Sequence, residues 1–128
     1  MARMVMQRTG KRILVVDDDP SICELLKREL DRRGFDVITA DGIDSAFSIL
    51  SSADVRIDLV LCDIVLPRRD GFSLLDSLNS LMNPVPVILI TGAPAKVDEA
   101  RRQSVNAVLQ KPLDMTVLER EVRRTLAL

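Results

Sequence analysis

The chain has 128 residues, 47% hydrophobic and 29% charged, the composition of one globular domain with enough apolar surface for a core. A formal net charge of −1 gives no bulk attraction to nucleic acid, and no apolar run approaches membrane-spanning length. There is no histidine, which excludes a histidine-activated nucleophile and a histidine metal ligand on this chain. Chemistry falls to carboxylates, lysine, hydroxyls and the backbone.

Met1 to Lys11 is polar, basic and aperiodic, and is expected to be a loose lead-in (1–11) to one domain over 12–128. Ile13-Leu14-Val15-Val16 is a continuous apolar run and predicts a buried strand. Asp19-Pro20 follows as an N-cap with proline at the first helical position. Ile22, Leu25, Leu26 and Leu30 recur at helical spacing until Gly34 ends the helix. Asp36 to Ala40 predicts a second strand, and Asp41-Gly42 turns into a helix with Ile43, Ala46, Phe47 and Leu50 on one face. Asp58 to Cys62 is the central strand. Asp70 is placed to cap a third helix carrying Phe72, Leu75, Leu78 and Leu81. Pro86 to Ile90 is a fourth strand. From Pro94 to about Gln103 only Val97 and Ala100 keep helical spacing, so a fourth helix there is short or poorly anchored. Ala107-Val108-Leu109 is a brief fifth strand, and Asp114 caps a last helix with Met115, Leu118, Val122 and Leu126 facing inward. Cys23 and Cys62 lack metal-type spacing and fall in apolar segments. They read as small buried hydrophobes in a reducing cytoplasm.

Strands apolar throughout, each followed by an amphipathic helix, imply an α/β fold, a doubly wound five-stranded parallel sheet covered on both faces. Ligands of such sheets bind outside the carboxyl ends of the strands. The residues at those ends are Asp17 and Asp18, Asp63, Thr91 with Gly92, and Lys111 with Pro112. Singly, most have bland explanations. Asp19 is a helix cap, Asp17 and Asp18 suit a turn, Thr91 a loop and Lys111 the surface. Asp63 ends a buried strand with no cap or turn role following it, and a buried carboxylate needs a partner. Their joint arrival at the ends of four strands argues for one site. Crowded carboxylates repel unless neutralised, and a hard divalent cation such as Mg²⁺ is the natural counter-ion. Carboxylates, metal, ammonium and hydroxyl together suit phosphoryl transfer, in which an aspartate can itself be the nucleophile and form an acyl phosphate.

At these residues the sequence resembles the receiver domain of bacterial two-component response regulators. The matching pieces are Ile13-Leu14-Val15-Val16-Asp17-Asp18-Asp19-Pro20, Asp63-Ile64-Val65-Leu66-Pro67-Arg68-Arg69-Asp70-Gly71, Val87-Ile88-Leu89-Ile90-Thr91-Gly92 and Lys111-Pro112. The resemblance runs from about Lys11 onward, and it implies the flavodoxin-like strand order 2-1-3-4-5. It implies that Asp63 is the phosphoacceptor and that Asp18 and Asp63 ligate Mg²⁺ (or Mn²⁺), with Asp17 acting largely through water. The backbone carbonyl of Val65 becomes a further metal ligand. Lys111 would pair with the phosphoryl oxygens, Thr91 would move to bond the phosphoryl group, and the Lys111-Pro112 peptide would be cis. The phosphoryl donor in this family is a phosphohistidine on a sensor histidine kinase or histidine phosphotransfer protein, which fits a chain without histidine. The expected role is that of a cytoplasmic phosphoacceptor signalling domain, not an enzyme acting on other substrates. No direct contact with nucleic acid or membrane is expected, and the sequence does not identify the output partner.

Two departures bear on the readout. Val108 stands where the family often has an aromatic residue three positions before the lysine, and Ser104-Val105 replaces a Gly-Ala pair. The resemblance puts the contact surface on the fourth helix, fifth strand and fifth helix, including Arg101, Arg102, Glu119 and Arg123. The alternative role is a pseudo-receiver, a protein-binding module whose phosphorylation is irrelevant. Such modules commonly lose an acid or the lysine, and here both are present. An aspartyl phosphatase usually needs a second acid two residues on, where Val65 stands. No glycine-rich lysine motif is present for a nucleotide.

Overall fold

A computed structural model describes residues 7–64, 76 and 85–128. Five parallel strands form one sheet in the order β2-β1-β3-β4-β5. They are β1 (Arg12–Val16), β2 (Asp36–Ala40), β3 (Leu59–Asp63), β4 (Val87–Thr91) and β5 (Ala107–Gln110). The described helices are α1 (Pro20–Arg32), α2 (Ile43–Ser51), α3 (Glu99–Gln103) and α4 (Met115–Thr125), with a 3-10 turn at Pro94–Lys96. The expected helix on Asp70, Phe72, Leu75, Leu78 and Leu81 lies outside the described residues, as does Val65.

The three inner strands β1, β3 and β4 are buried on both sides because alternate residues feed two cores, while β2 and β5 at the edges are only half-buried. Leu14, Val16, Val60, Cys62, Val87 and Leu89 point to one face, with Ile43 and Ala46 of α2. Ile13, Val15, Leu59, Leu61, Ile88 and Ile90 point to the other, with Leu26 and Leu30 of α1 and Leu118 and Val122 of α4. This is the flavodoxin-like doubly wound arrangement.

Local chemistry sets the helix ends. The Asp19 carboxylate accepts the Ser21 amide at the start of α1, with Pro20 in the first turn. Beyond the end of α1, Gly34 takes φ +97°, where a side chain is strained and a Cβ would also meet the Gln7 carbonyl. Arg8 and Thr9, inside the expected lead-in, are tied to this turn. The Arg8 guanidinium donates to Asp36 Oδ1 at 2.7 Å and to the Phe35 carbonyl at 3.1 Å, and the Thr9 amide donates to the Gly34 carbonyl at 2.8 Å.

Several sequence expectations shift. Asp63 and Thr91 are the last residues of β3 and β4, not the first residues beyond them. Leu25 and Phe47, expected on the core-facing stripes, are exposed at their flanks; the buried residues are Cys23, Leu26 and Leu30 on α1 and Ile43 and Ala46 on α2. The segment from Pro94 to Gln103 breaks in two. Val97 turns into the core and Asp98 then caps a new five-residue helix by accepting the Arg101 amide. No residue of that helix is buried, in keeping with the weak apolar spacing.

Candidate functional site

Strand register brings the acids to one level. Val16 lies opposite Cys62, so Asp17 is carried beside Asp63. Asp63 lies opposite Ile90 and Thr91 opposite Gln110, so Thr91 and Lys111 each follow one step beyond. The Lys111 amide donates to the Thr91 carbonyl at 2.8 Å, extending the β4–β5 ladder to the site. Register, not the loops, sets the constellation.

Asp17 and Asp63 are each 4% exposed, and Asp18 is exposed at their side. The three carboxylates offer oxygens within 4.8 Å of one another. Lys111 crosses to them from the far edge. Its Nζ lies 2.5 Å from Asp63 Oδ2 and 3.9 Å from Asp17 Oδ2. Thr91 is buried beside them, and its Oγ1 accepts the Ala93 amide at 3.0 Å. The Lys111-Pro112 peptide is cis.

The electrostatics follow from the crowding. Burial pushes the Asp17 carboxyl above the ordinary aspartate range. The Asp19 amide and Lys111 oppose the rise, while Asp63 and Asp18 add to it. Partial burial works against the Lys111 ammonium, but its bond to Asp63 and the nearby charges of Asp63, Asp17 and Asp18 prevail, and its pKa is raised. Among the described residues, one ammonium faces three carboxylates. An oxygen-only donor set with excess negative charge fits a hard divalent cation.

Two contributors carried no sequence signal as site residues. The Cys23 thiol, on the first turns of α1, donates to the Asp17 carbonyl at 3.3 Å, and the Asp17 amide donates to the Ala40 carbonyl at 3.1 Å. Together they fix the backbone that presents the acid pair. A cysteine at helical spacing in an apolar stripe gives no hint of this. Cys62, next to Asp63, is fully buried, and burial pushes its thiol up to about 12.

The charged residues expected on a contact surface have partners within the chain. Arg101 pairs with Asp98 at 2.6 Å. Arg102 donates to the Val97 carbonyl at 3.2 Å and also to the Pro94 carbonyl. Glu119 accepts from Arg33 at 2.9 Å and Arg123 at 3.0 Å, and Arg123 lies over the Phe35 ring.

Residues 13–123 match the family profile of the response regulator receiver domain. The transcriptional regulatory protein PrrA of Mycobacterium tuberculosis is 38% identical over 91 residues, 71% of this chain and 38% of PrrA. CpxR of Escherichia coli K12, also named a transcriptional regulatory protein, is 33% identical over 117 residues, 90% of this chain and 49% of CpxR. The chain therefore spans half or less of the length of these curated relatives. Among solved structures, the response regulator TrrA of Thermotoga maritima, in complex with Mg²⁺-BeF, superposes with a TM-score of 0.81 at 29% identity, covering 91% of this chain and 99% of that one. A receiver protein from Burkholderia phymatum gives 0.82 at 30% identity, covering 93% of this chain and 97% of its own. Among the described residues no helix is long and apolar enough to cross a membrane. The chain belongs to the response regulator receiver domain family.

Proposed function

We propose that Asp63 is the phosphoacceptor of this receiver domain and takes its phosphoryl group from a phosphohistidine on a sensor histidine kinase or histidine phosphotransfer protein. The observation that carries this reading is the Lys111 Nζ at 2.5 Å from Asp63 Oδ2, with Asp17 and Asp18 oxygens within 4.8 Å. A carboxylate oxygen of Asp63 attacks phosphorus and a P–O bond forms. The P–N bond of the phosphohistidine breaks, and its electron pair stays on the imidazole nitrogen. No proton has to leave Asp63, because the nucleophile is the carboxylate.

Lys111 begins as the partner of the Asp63 carboxylate and then follows the charge onto the phosphoryl oxygens. Thr91, one step beyond Asp63 in register, donates its hydroxyl proton to a phosphoryl oxygen while its own oxygen already accepts the Ala93 amide. Asp17, Asp18 and Asp63 would hold Mg²⁺ or Mn²⁺, together with the Val65 carbonyl, which lies outside the described residues. Such a cation neutralises phosphoryl charge as the donor approaches three carboxylates. Output passes through protein contacts in the cytoplasm, on the face made by α3, β5 and α4.

The test is phosphorylation of the pure protein by acetyl phosphate, with and without Mg²⁺, read by intact mass. A Mg²⁺-dependent gain of one phosphoryl group that is absent in Asp63→Asn supports the proposal. No gain with wild type would turn the reading to a pseudo-receiver. A gain retained in Asp63→Asn would move the acceptor elsewhere.

A further inference from the structure

The segment after Thr91 is held in an unusual way. Gly92 to Gln103 contains a 3-10 turn and a five-residue helix, and its buried apolar anchor is Val97, 3% exposed. α3 buries none of its own residues. Val108, on β5, packs against the same core as Val97, and no aromatic ring occupies that position.

Arg102 supplies the connection. From α3 its guanidinium reaches back across the break, Nε donating to the Val97 carbonyl at 3.2 Å and Nη2 to the Pro94 carbonyl. Pro94 opens the 3-10 turn and Val97 closes it, so both ends of the turn are fastened to one planar group. The Arg102 amide also donates to the Asp98 carbonyl at 3.0 Å. A guanidinium can bridge two carbonyls at a fixed angle, whereas a lysine ammonium is a point donor on a flexible stem.

We propose that Arg102 is the strut that makes the 3-10 turn and α3 move as one body. A displacement of Thr91 toward a phosphoryl group on Asp63 then reaches the α3 surface without an aromatic switch at Val108. Thr91 is joined to the turn by only two intervening residues, and its hydroxyl already holds the Ala93 amide. Pulling Thr91 therefore pulls the turn, and the turn carries α3 through the two Arg102 bonds. Without Arg102, the Val97–Asp98 link is free to swivel and the shift stops at the turn. The inference rests on the phosphoacceptor reading of Asp63.

The experiment compares wild type, Arg102→Lys and Arg102→Met by ¹H–¹⁵N spectra before and after acetyl phosphate with Mg²⁺, with intact mass on the same samples. In wild type, amide shifts change both in the non-proline residues of 92–97 and in residues 99–103. In Arg102→Lys, which keeps the charge on a flexible stem one atom shorter, the change in 99–103 falls roughly three-fold or more because an ammonium does not hold both carbonyls at a fixed angle. The change in 92–97 persists. Arg102→Met shows the same pattern more strongly. Unaltered changes in 99–103 in both variants, at equal phosphorylation, overturn the strut. Wild type that gains mass without any shift in 99–103 overturns it too. Wild type that gains no mass contradicts the phosphoacceptor reading itself, so the two failures are told apart.

Discussion

Asp17→Asn should stabilise the metal-free protein. At an effective dielectric near 20, carboxylate oxygens within 4.8 Å of one another repel by about 3.5 kcal/mol or more, and Asp17 has two such neighbours in Asp18 and Asp63. The compensating attraction to Lys111 at 3.9 Å is about 4 kcal/mol on the same scale. Repulsion exceeds attraction, and the burial cost of the Asp17 charge adds to the imbalance. Asp18 and Lys111 are both solvent-accessible, which scales their terms down, so the net gain on neutralising Asp17 is on the order of 1–3 kcal/mol. Asparagine keeps the shape and still accepts the Asp19 amide, bonded at 2.9 Å, so little else is disturbed.

The pH dependence has a definite sign. The folded state holds the Asp17 proton more tightly than the unfolded chain does. Stability therefore falls as pH rises from the ordinary aspartate value, about 3.9, through the raised folded one. The advantage of Asp17→Asn should be absent at low pH and complete at neutral pH. Urea unfolding in EDTA, at a series of pH values, measures it. Saturating Mg²⁺ should close the gap or reverse it, because wild type gains about 2.7 kcal/mol when the free ion is at 100 times Kd and the variant gains less. A variant less stable than wild type in EDTA at neutral pH refutes the charge balance. So does a gap that Mg²⁺ leaves unchanged.

Three further outcomes are expected. Phe35→Ala removes a ring that is 0% exposed and faces the Arg123 guanidinium at 5.4 Å. It should cost about 3–5 kcal/mol in urea unfolding, and a loss below about 1 kcal/mol would mean the ring is not a core element. Asp19→Ala removes the α1 cap and should cost about 1 kcal/mol, with Asp19→Asn close to neutral. Equal losses in the two would show that charge and not capping is at work. Cys62, with its thiol pushed up to about 12, should resist thiol reagents in the native state and react on unfolding, and rapid native labelling at Cys62 would contradict its burial.

Much of this was legible in the residues. Continuous apolar runs such as Leu14 to Val16 and Val87 to Ile90 belong to strands covered on both faces, and caps at Asp19 and Asp114 mark helix starts with a local hydrogen bond. The site was legible because parallel strands end on one edge. Once Asp17, Asp63, Thr91 and Lys111 are assigned to strand ends, their meeting follows from topology. Other features leave no local trace. Arg33 reaches Glu119 across 86 residues, and Arg8 reaches Asp36 across 28, because long charged side chains take partners that tertiary packing provides. The split at Val97 and Asp98 leaves no local trace for a related reason. Val97 and Ala100 share helical spacing, and only the core decides that Val97 turns inward alone.

Borohydride trapping reads out where the phosphoryl group proposed for Asp63 is carried. An acyl phosphate on aspartate is reduced to homoserine, which peptide mass spectrometry locates in the sequence. After acetyl phosphate and Mg²⁺ treatment, homoserine is expected at position 63 and nowhere else. Homoserine at Asp17 or Asp18, or none in a sample that has gained a phosphoryl group, would contradict it.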